Sequence, residues 1–512
     1  MNGFKLAGLT AAMLLTSQLA LADNLSLRLN YAQGKTGVAF QATHVETGHF
    51  AITPKREHIA GPSWRLVSRN SKGVIVYETE IANNLTFHAE GFDPKTGQIA
   101  AARTVQLNAG VLEVSIPYGT DVASIEVLPS NKDLAALAKG ASAPAALAKF
   151  DRNAINGVKL KTKAERLNML AATAAAGGTP TVATIVDSGP PAQRMDIVLL
   201  AEGYTAAEMG KWQMDANRIA TGMLNDPVFN NARAGISIRR VDVASVESGA
   251  DEPDKGIYRS TAFDATYNCG GVERSICLDD SKVLGAVSSV LAPDARDFIV
   301  IVVNSTRYGG AATMGVSARV ASDSGSEIDM ALHEMGHSAF LLADEYDLGN
   351  CAAGEPAEPD VTRNLSRTQA KWGSKIAGST PVPTPINALP NGTVGMFVGG
   401  KYCTTGIYRP TENSKMRTLG LPWHAVNEAV LNSVINKYYT ACPSQFYTRA
   451  IDPTYGDSCR LNDTHDGTSC AFQPWDTASN LQAAGWTILG NTCKTFAGGR
   501  LTTVSLFVKP RP

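Results

Sequence analysis

The chain has 512 residues, more than one ordinary core needs, so two or three domains are expected. Lys+Arg 46 against Asp+Glu 47 give a net charge of −1 with no basic stripe. That balance argues against nucleic acid or an anionic membrane surface as partner and leaves small molecules, peptides and proteins.

Lys5 precedes an apolar run from Leu6 to Leu21, and Ala20, Leu21 and Ala22 form a small-x-small cleavage signal. Residues 1–22 therefore read as a secretory signal peptide. No other long apolar run follows, so a mature chain without a transmembrane segment, secreted or periplasmic, is expected. The eight cysteines are even in number and contain no CxxC pair, which favours disulfides over a zinc ribbon.

Residues 23–130 alternate short β-rich runs with turn signals, for example Val111 to Ile116 and Ala123 to Leu128, and read as a β-sandwich. His44, His49, His58 and His88 lie there without ligand spacing and read as surface residues. Residues 131–190 turn Ala-rich and then Gly/Pro-rich, the pattern of a linker or connector, with a helical layer of the next domain as the alternative.

Asp196 to Ala201 is a short buried-strand pattern, and Thr205 with Glu208 marks a capping box. Met209, Trp212, Ala216, Ile219 and Met223 then supply one helical face. A strand from Ile236 to Val243, a helix from Ser281 to Leu291 and a strand from Phe298 to Val303 continue an alternating α/β series. The next helix is expected from a capping box of Ser324 and Glu327, with Ile328, Leu332, Met335 and Ala339 as its apolar stripe.

That helix contains His333-Glu334-x-x-His337. Residues four apart share a helical face, so both imidazoles can bind one Zn²⁺ while Glu334 flanks a water. With eight histidines in the chain, only about 0.005 such matches arise by chance, so coincidence explains the motif poorly. A loop-rich region follows from Cys351 to Gly400, then a helix from Pro422 to about Tyr439. Residues 441–512, with Cys442, Cys459, Cys470 and Cys493, read as a small disulfide-stapled β module. Cys269 with Cys277 closes a short loop around Gly270 and Gly271, Cys351 pairs with Cys403, and Cys459–Cys470 and Cys442–Cys493 follow by elimination.

Three segments together resemble the IgA-peptidase family of secreted bacterial zinc metallopeptidases, which are metzincin-like. They are Asp196 to Glu208 with Glu202-Gly203-Tyr204, His333 to Tyr346, and Gly406 to Arg417. The resemblance implies a zincin catalytic domain over residues 191–440, with Met416 in a Met-turn beneath the metal. The chain departs from the general pattern HExxHxxGxxH, because Phe340 stands at the glycine position and Ala343 at the third histidine. Asp344 is the chosen third ligand, with Glu345 and Asp347 as alternatives.

The expected activity is a zinc-dependent endopeptidase acting on proteins or peptides, with Glu334 as general base. Tyr408 is the candidate oxyanion donor, in competition with Tyr402 and Tyr346. The alternatives are an exported binding or adhesion protein on the same scaffold and a zinc amidase.

Overall fold

A computed structural model describes residues 24–130 apart from 36, 54–62 and 84, residues 145–162, and residues 179–438 apart from 350 and 352. Beyond residue 438 it describes the backbone of five strands. The signal-peptide reading of residues 1–22 lies outside these residues, as do the side chains for the Cys459–Cys470 and Cys442–Cys493 pairings. The molecule is mixed and strand-rich, with few helices among the described residues. None of those helices is long and apolar enough to cross a membrane.

In the N-terminal region, strand Asn24–Gly34 lies antiparallel between Gly37–Gly48 and Ala109–Pro117. A second sheet orders Ile75–Ala82, Ser63–Asn70, Val122–Pro129 and Ala148–Asp151. Alternate side chains Leu25, Leu27 and Leu29 project to one side of the first sheet and share a core with Trp64, Leu66, Ile125 and Val127 of the second. Trp64 meets Tyr31 and Phe40 edge-on, each at 4.8 Å between ring centres. The described parts of the expected connector join their neighbours: Ala148–Asp151 enters this second sheet, and Thr181–Val186 enters the next one.

One hairpin, Thr86–Phe92 paired with Ile99–Gln106, belongs to neither sheet and has no counterpart among the strands expected from sequence. Leu107 N–H closes its base on Leu85 O at 2.6 Å. The hairpin leaves the N-terminal sheets and reaches the region of the HExxH helix.

The larger sheet has the order Thr181–Val186, Ile236–Asp242, Met195–Glu202, Phe298–Val303, Ser317–Ala321, Gly310–Thr313. Its inner four strands are parallel and its two edge strands antiparallel. Met195–Glu202 and Phe298–Val303 are buried at every residue, because helices cover both faces. Ile197, Leu199 and Ala201 pack with Trp212 and Ile219 of helix Met209–Asn225 and with Met330 and Leu332 of helix Glu327–Ser338. Val198 and Leu200 face the other way, onto Val283, Leu284 and Val287 of helix Asp280–Val290. The Thr205–Glu208 capping box is formed. Disulfides join Cys269 to Cys277 and Cys351 to Cys403.

A buried ionic cluster ties the first N-terminal sheet to this α/β unit. Glu113 accepts from Arg28 at 2.7 Å and from Arg296 at 2.8 Å, and Arg296 also binds Glu46 at 2.8 Å. Arg28 donates onward to Leu284 O at 2.8 Å and Ser288 Oγ at 3.0 Å, so the network crosses between the two units. His44, expected at the surface, lies half-buried with its Nε2 2.8 Å from Glu46, because the same network encloses it. His49 is exposed; His58 and the side chain of His88 lie outside the described residues.

Burial alone would raise the Glu113 pKa, but Arg296 and Arg28 outweigh it and hold the carboxyl well below its usual value of 4.5. The stabilisation is therefore complete above about pH 4.5 and is lost as pH falls through the lowered folded value. Glu113→Ala leaves Arg28 and Arg296 buried without their shared anion and should cost about 3–5 kcal/mol in urea unfolding at neutral pH. The difference between variant and wild type should shrink on acidification.

Candidate metal centre

Helix Glu327–Ser338 starts differently from the sequence expectation. Its N-cap is Ser326, with no side-chain capping bond. Ser324 Oγ only accepts from Ser326 N–H at 3.4 Å, and Glu327 is drawn away into an ion pair with Arg218 of the neighbouring helix. The stripe of Ile328, Leu332, Met335 and Ala339 does not divide a buried side from an exposed one either. His333 is 0% exposed and Glu334 1%, because other parts of the chain cover the face opposite the stripe.

The C-terminal end also differs. A helix running through Phe340 and Leu341 with a turn at Ala343 fits the spacing to Asp344, but the helix stops at Ser338. Leu341 takes the left-handed conformation at φ 57°, one residue after the glycine position of the general pattern. Leu342 N–H then donates back to Gly336 O at 2.9 Å. The left-handed backbone costs about 1–2 kcal/mol for a non-glycine residue, and burial of both Leu341 and Leu342 offsets it. Turn and acidic residue are thus displaced together by one position.

This end of the helix also fixes the imidazoles. His337 Nδ1 lies 2.8 Å from Leu342 O, and His333 Nδ1 lies 2.9 Å from Lys415 O. A carbonyl only accepts, so each Nδ1 carries the hydrogen and each Nε2 is left to face inward. The two Nε2 atoms stand 3.2 Å apart. Asp344 Oδ1 is 3.2 Å from His337 Nε2 and 3.6 Å from His333 Nε2. Glu90 of the N-terminal hairpin brings its carboxylate oxygens to 3.4 Å from His333 Nε2 and 3.7 Å from His337 Nε2.

One ligand atom from each of Glu90, His333, His337 and Asp344 lies within 4.8 Å of the others, and all four residues are buried. The donor set suits a metal ion. Two inward-facing imidazole nitrogens converge with two carboxylates, and Asp344 Oδ1 is a buried oxygen without a hydrogen-bond partner. A cation among them would satisfy all of these groups, and mixed imidazole and carboxylate ligation is usual for zinc.

Among these side chains the charges compensate one another. Burial opposes ionisation of His333, but Asp344 and Glu90 push its pKa up to about 9. Burial likewise opposes ionisation of Asp344, yet the two imidazoles hold its carboxyl well below the usual range. Glu334 is pushed up to about 8, by burial first and then by Glu90. Its Oε1 has no hydrogen-bond partner.

The other sequence candidates divide sharply. Glu345 points away from the cluster: its oxygens accept from Ser414 Oγ and Asn427 Nδ2, each at 2.8 Å, and its N–H donates to Met416 O at 2.8 Å. Asp347 pairs with Arg417 at 2.9 Å. Met416 is buried under the helix, where the missing side chain of Gly336 lets its sulfur approach; a Cβ on Gly336 would lie 2.5 Å from Sδ.

Tyr408 packs against the group around Trp372, its backbone pairs with Thr362 and Val398, and none of these contacts is with the cluster. Tyr402, its competitor, donates to Asp344 Oδ2 at 2.6 Å and packs on Tyr346 at 5.5 Å between ring centres. Sequence reasoning missed Glu90 and Phe92, and Phe92 meets the His333 ring edge-on at 4.8 Å. They lie more than 240 residues before the motif, and no spacing in the run Phe87 to Phe92 ties them to it.

No curated protein matches the chain. Residues 183–390 match the family described as IgA Peptidase M64, a stretch that contains His333, Glu334, His337 and Asp344 but neither Glu90, Tyr402 nor Met416. Over that stretch the chain is similar to the IgA peptidase M64 family.

Proposed function

We propose that the protein is a secreted zinc-dependent endopeptidase in which His333, His337 and Asp344 hold the metal and Glu334 is the general base. One observation carries this reading: the two Nε2 atoms and Asp344 Oδ1 converge beside a buried, unpaired Glu334 within a segment of a peptidase family. A binding scaffold would have no use for that unpaired carboxylate, whose burial is costly.

A zinc ion there would supply the Lewis acidity that lowers the pKa of a water and polarises a peptide carbonyl. Glu334 Oε1, with no competing donor, receives the proton of the attacking water and later delivers it to the departing amine. Lys415 O and Leu342 O keep the imidazoles in the binding tautomer, and the Tyr402 hydroxyl holds Asp344 Oδ2 so that Oδ1 faces inward. Glu345 is a strut between the ligand loop and the Met416 turn. Tyr408 receives no role in the chemistry.

The zincin reading of the fold is supported by the parallel sheet with its antiparallel edge strand Gly310–Thr313 and by Met416 beneath the helix. The leader-like run before residue 23 and the two disulfides favour export.

Glu334→Ala should retain metal, measured by elemental analysis, while cleavage of casein or of an unbiased peptide library falls by about 10² to 10⁴. Wild-type turnover in that variant would refute the assignment. Tyr402→Phe leaves Asp344 Oδ2 without its donor and should weaken zinc binding about 10–100-fold in chelator competition. An unchanged affinity would remove Tyr402 from the support of the site.

A further inference from the structure

We propose that Glu90 is a built-in blocking ligand: the N-terminal hairpin inserts its carboxylate into the fourth position of the metal centre and holds turnover below that of the open site. The proposal rests on the zinc-peptidase reading above and concerns a residue outside the matched segment 183–390.

The chemistry of the donor set comes first. Two imidazoles and one carboxylate leave a zinc ion an open place, which a hydrolytic site needs for water, whereas four protein ligands close it. Glu90 is the fourth. It is 4% exposed, its two oxygens lie 3.4 Å and 3.7 Å from the two Nε2 atoms, and it belongs to the same compact group as the other three.

The hairpin is held in place on several sides. Phe87 and Ala89 pack with Cys269, Val272 and Ala311. Arg274 Nη1 donates to Phe92 O at 2.5 Å, and Phe92 lies edge-on to His333. At the hairpin turn, Leu419 N–H donates to Gly97 O at 2.9 Å, three residues beyond Met416. Gly97 has φ 67°, and a Cβ there would lie 2.7 Å from Leu419 O, so the close seat on this turn requires glycine.

The position of the hairpin blocks more than one coordination place. Ala311 belongs to Gly310–Thr313, the edge strand of the large sheet, and the strand Thr86–Phe92 runs along it. An exposed sheet edge is a ready template for an extended peptide, and here the hairpin covers it. One device therefore fills the ligand position and the adjoining edge.

Cobalt-substituted wild type, Glu90→Ala and Glu90→Gln provide the test, with acetohydroxamate as a small metal-binding probe and casein as substrate. Both variants should bind one metal ion and keep the wild-type near-ultraviolet circular dichroism. Their visible cobalt spectra should change, and acetohydroxamate should bind at least about tenfold more tightly than to wild type, which is about 1.4 kcal/mol. Casein turnover should rise in the Gln variant, which preserves the shape of the hairpin, and should return to baseline in Glu90→Gln/Glu334→Ala. Unchanged spectra and unchanged probe affinity would overturn the proposal. So would a fall in turnover on Glu90→Gln, which would make Glu90 part of the catalytic apparatus. Altered spectra and tighter probe binding, with no cleavage by any variant, would support the blocking ligand and defeat the peptidase reading instead.

Discussion

Two imidazole nitrogens held 3.2 Å apart among buried side chains are the constraint on which this structure turns. Unpaired, they and the carboxylates facing them would carry a heavy desolvation cost. Each side chain in the group is fixed from behind. Leu342 O holds His337, Lys415 O holds His333, and the Tyr402 hydroxyl holds Asp344. The three supports come from different places: the reversal after the helix, the loop before Met416, and the start of strand Cys403–Arg409.

Glu345 explains how those places stay in register. Its neighbour Asp344 faces the cluster, while its own carboxylate bridges Ser414 and Asn427, so adjacent residues serve opposite sides of one loop. Burial pushes the Glu345 pKa up to about 7, and the hydrogen bonds from Asn427 and Ser414 pull against that rise. Arg417 adds a bond to Glu345 O at 2.8 Å and an ion pair to Asp347. Of the three acidic residues between 344 and 347, one is in the cluster, one braces the turn and one lies at its partly exposed rim.

The N-terminal region meets the α/β unit in two chemically different ways. The Glu113 cluster is ionic and lies between one sheet and helix Asp280–Val290, so it sets how the two units dock. The hairpin contact is largely apolar, through Phe87, Ala89 and Phe92, and ends in the buried carboxylate of Glu90 beside the two imidazoles. Folding therefore couples two stretches separated by more than two hundred residues, with the cost of ordering the hairpin offset by its buried apolar side chains.

Much of the α/β unit was legible because its signals are local. Continuous apolar text marks Phe298 to Val303, and the Thr205–Glu208 box marks the entry to a helix. The four-residue spacing of His333 and His337 is likewise local, since helix geometry alone puts them on one face. Local rules failed where a distant partner competed. Glu327 left its expected cap for Arg218, and the chain reversed at Leu341 rather than Ala343 because the residues beyond the helix are buried. That Asp344 faces the cluster while Glu345 turns away, and that Tyr402 rather than Tyr408 touches it, depended on where strand Cys403–Arg409 and the Met416 turn pack. Glu90 carried no readable spacing at all. Sequence by itself determined which residue types and which helix face could bind a metal. Only tertiary packing decided which carboxylates reach it, because that depends on contacts between segments whose separation along the chain encodes no distance.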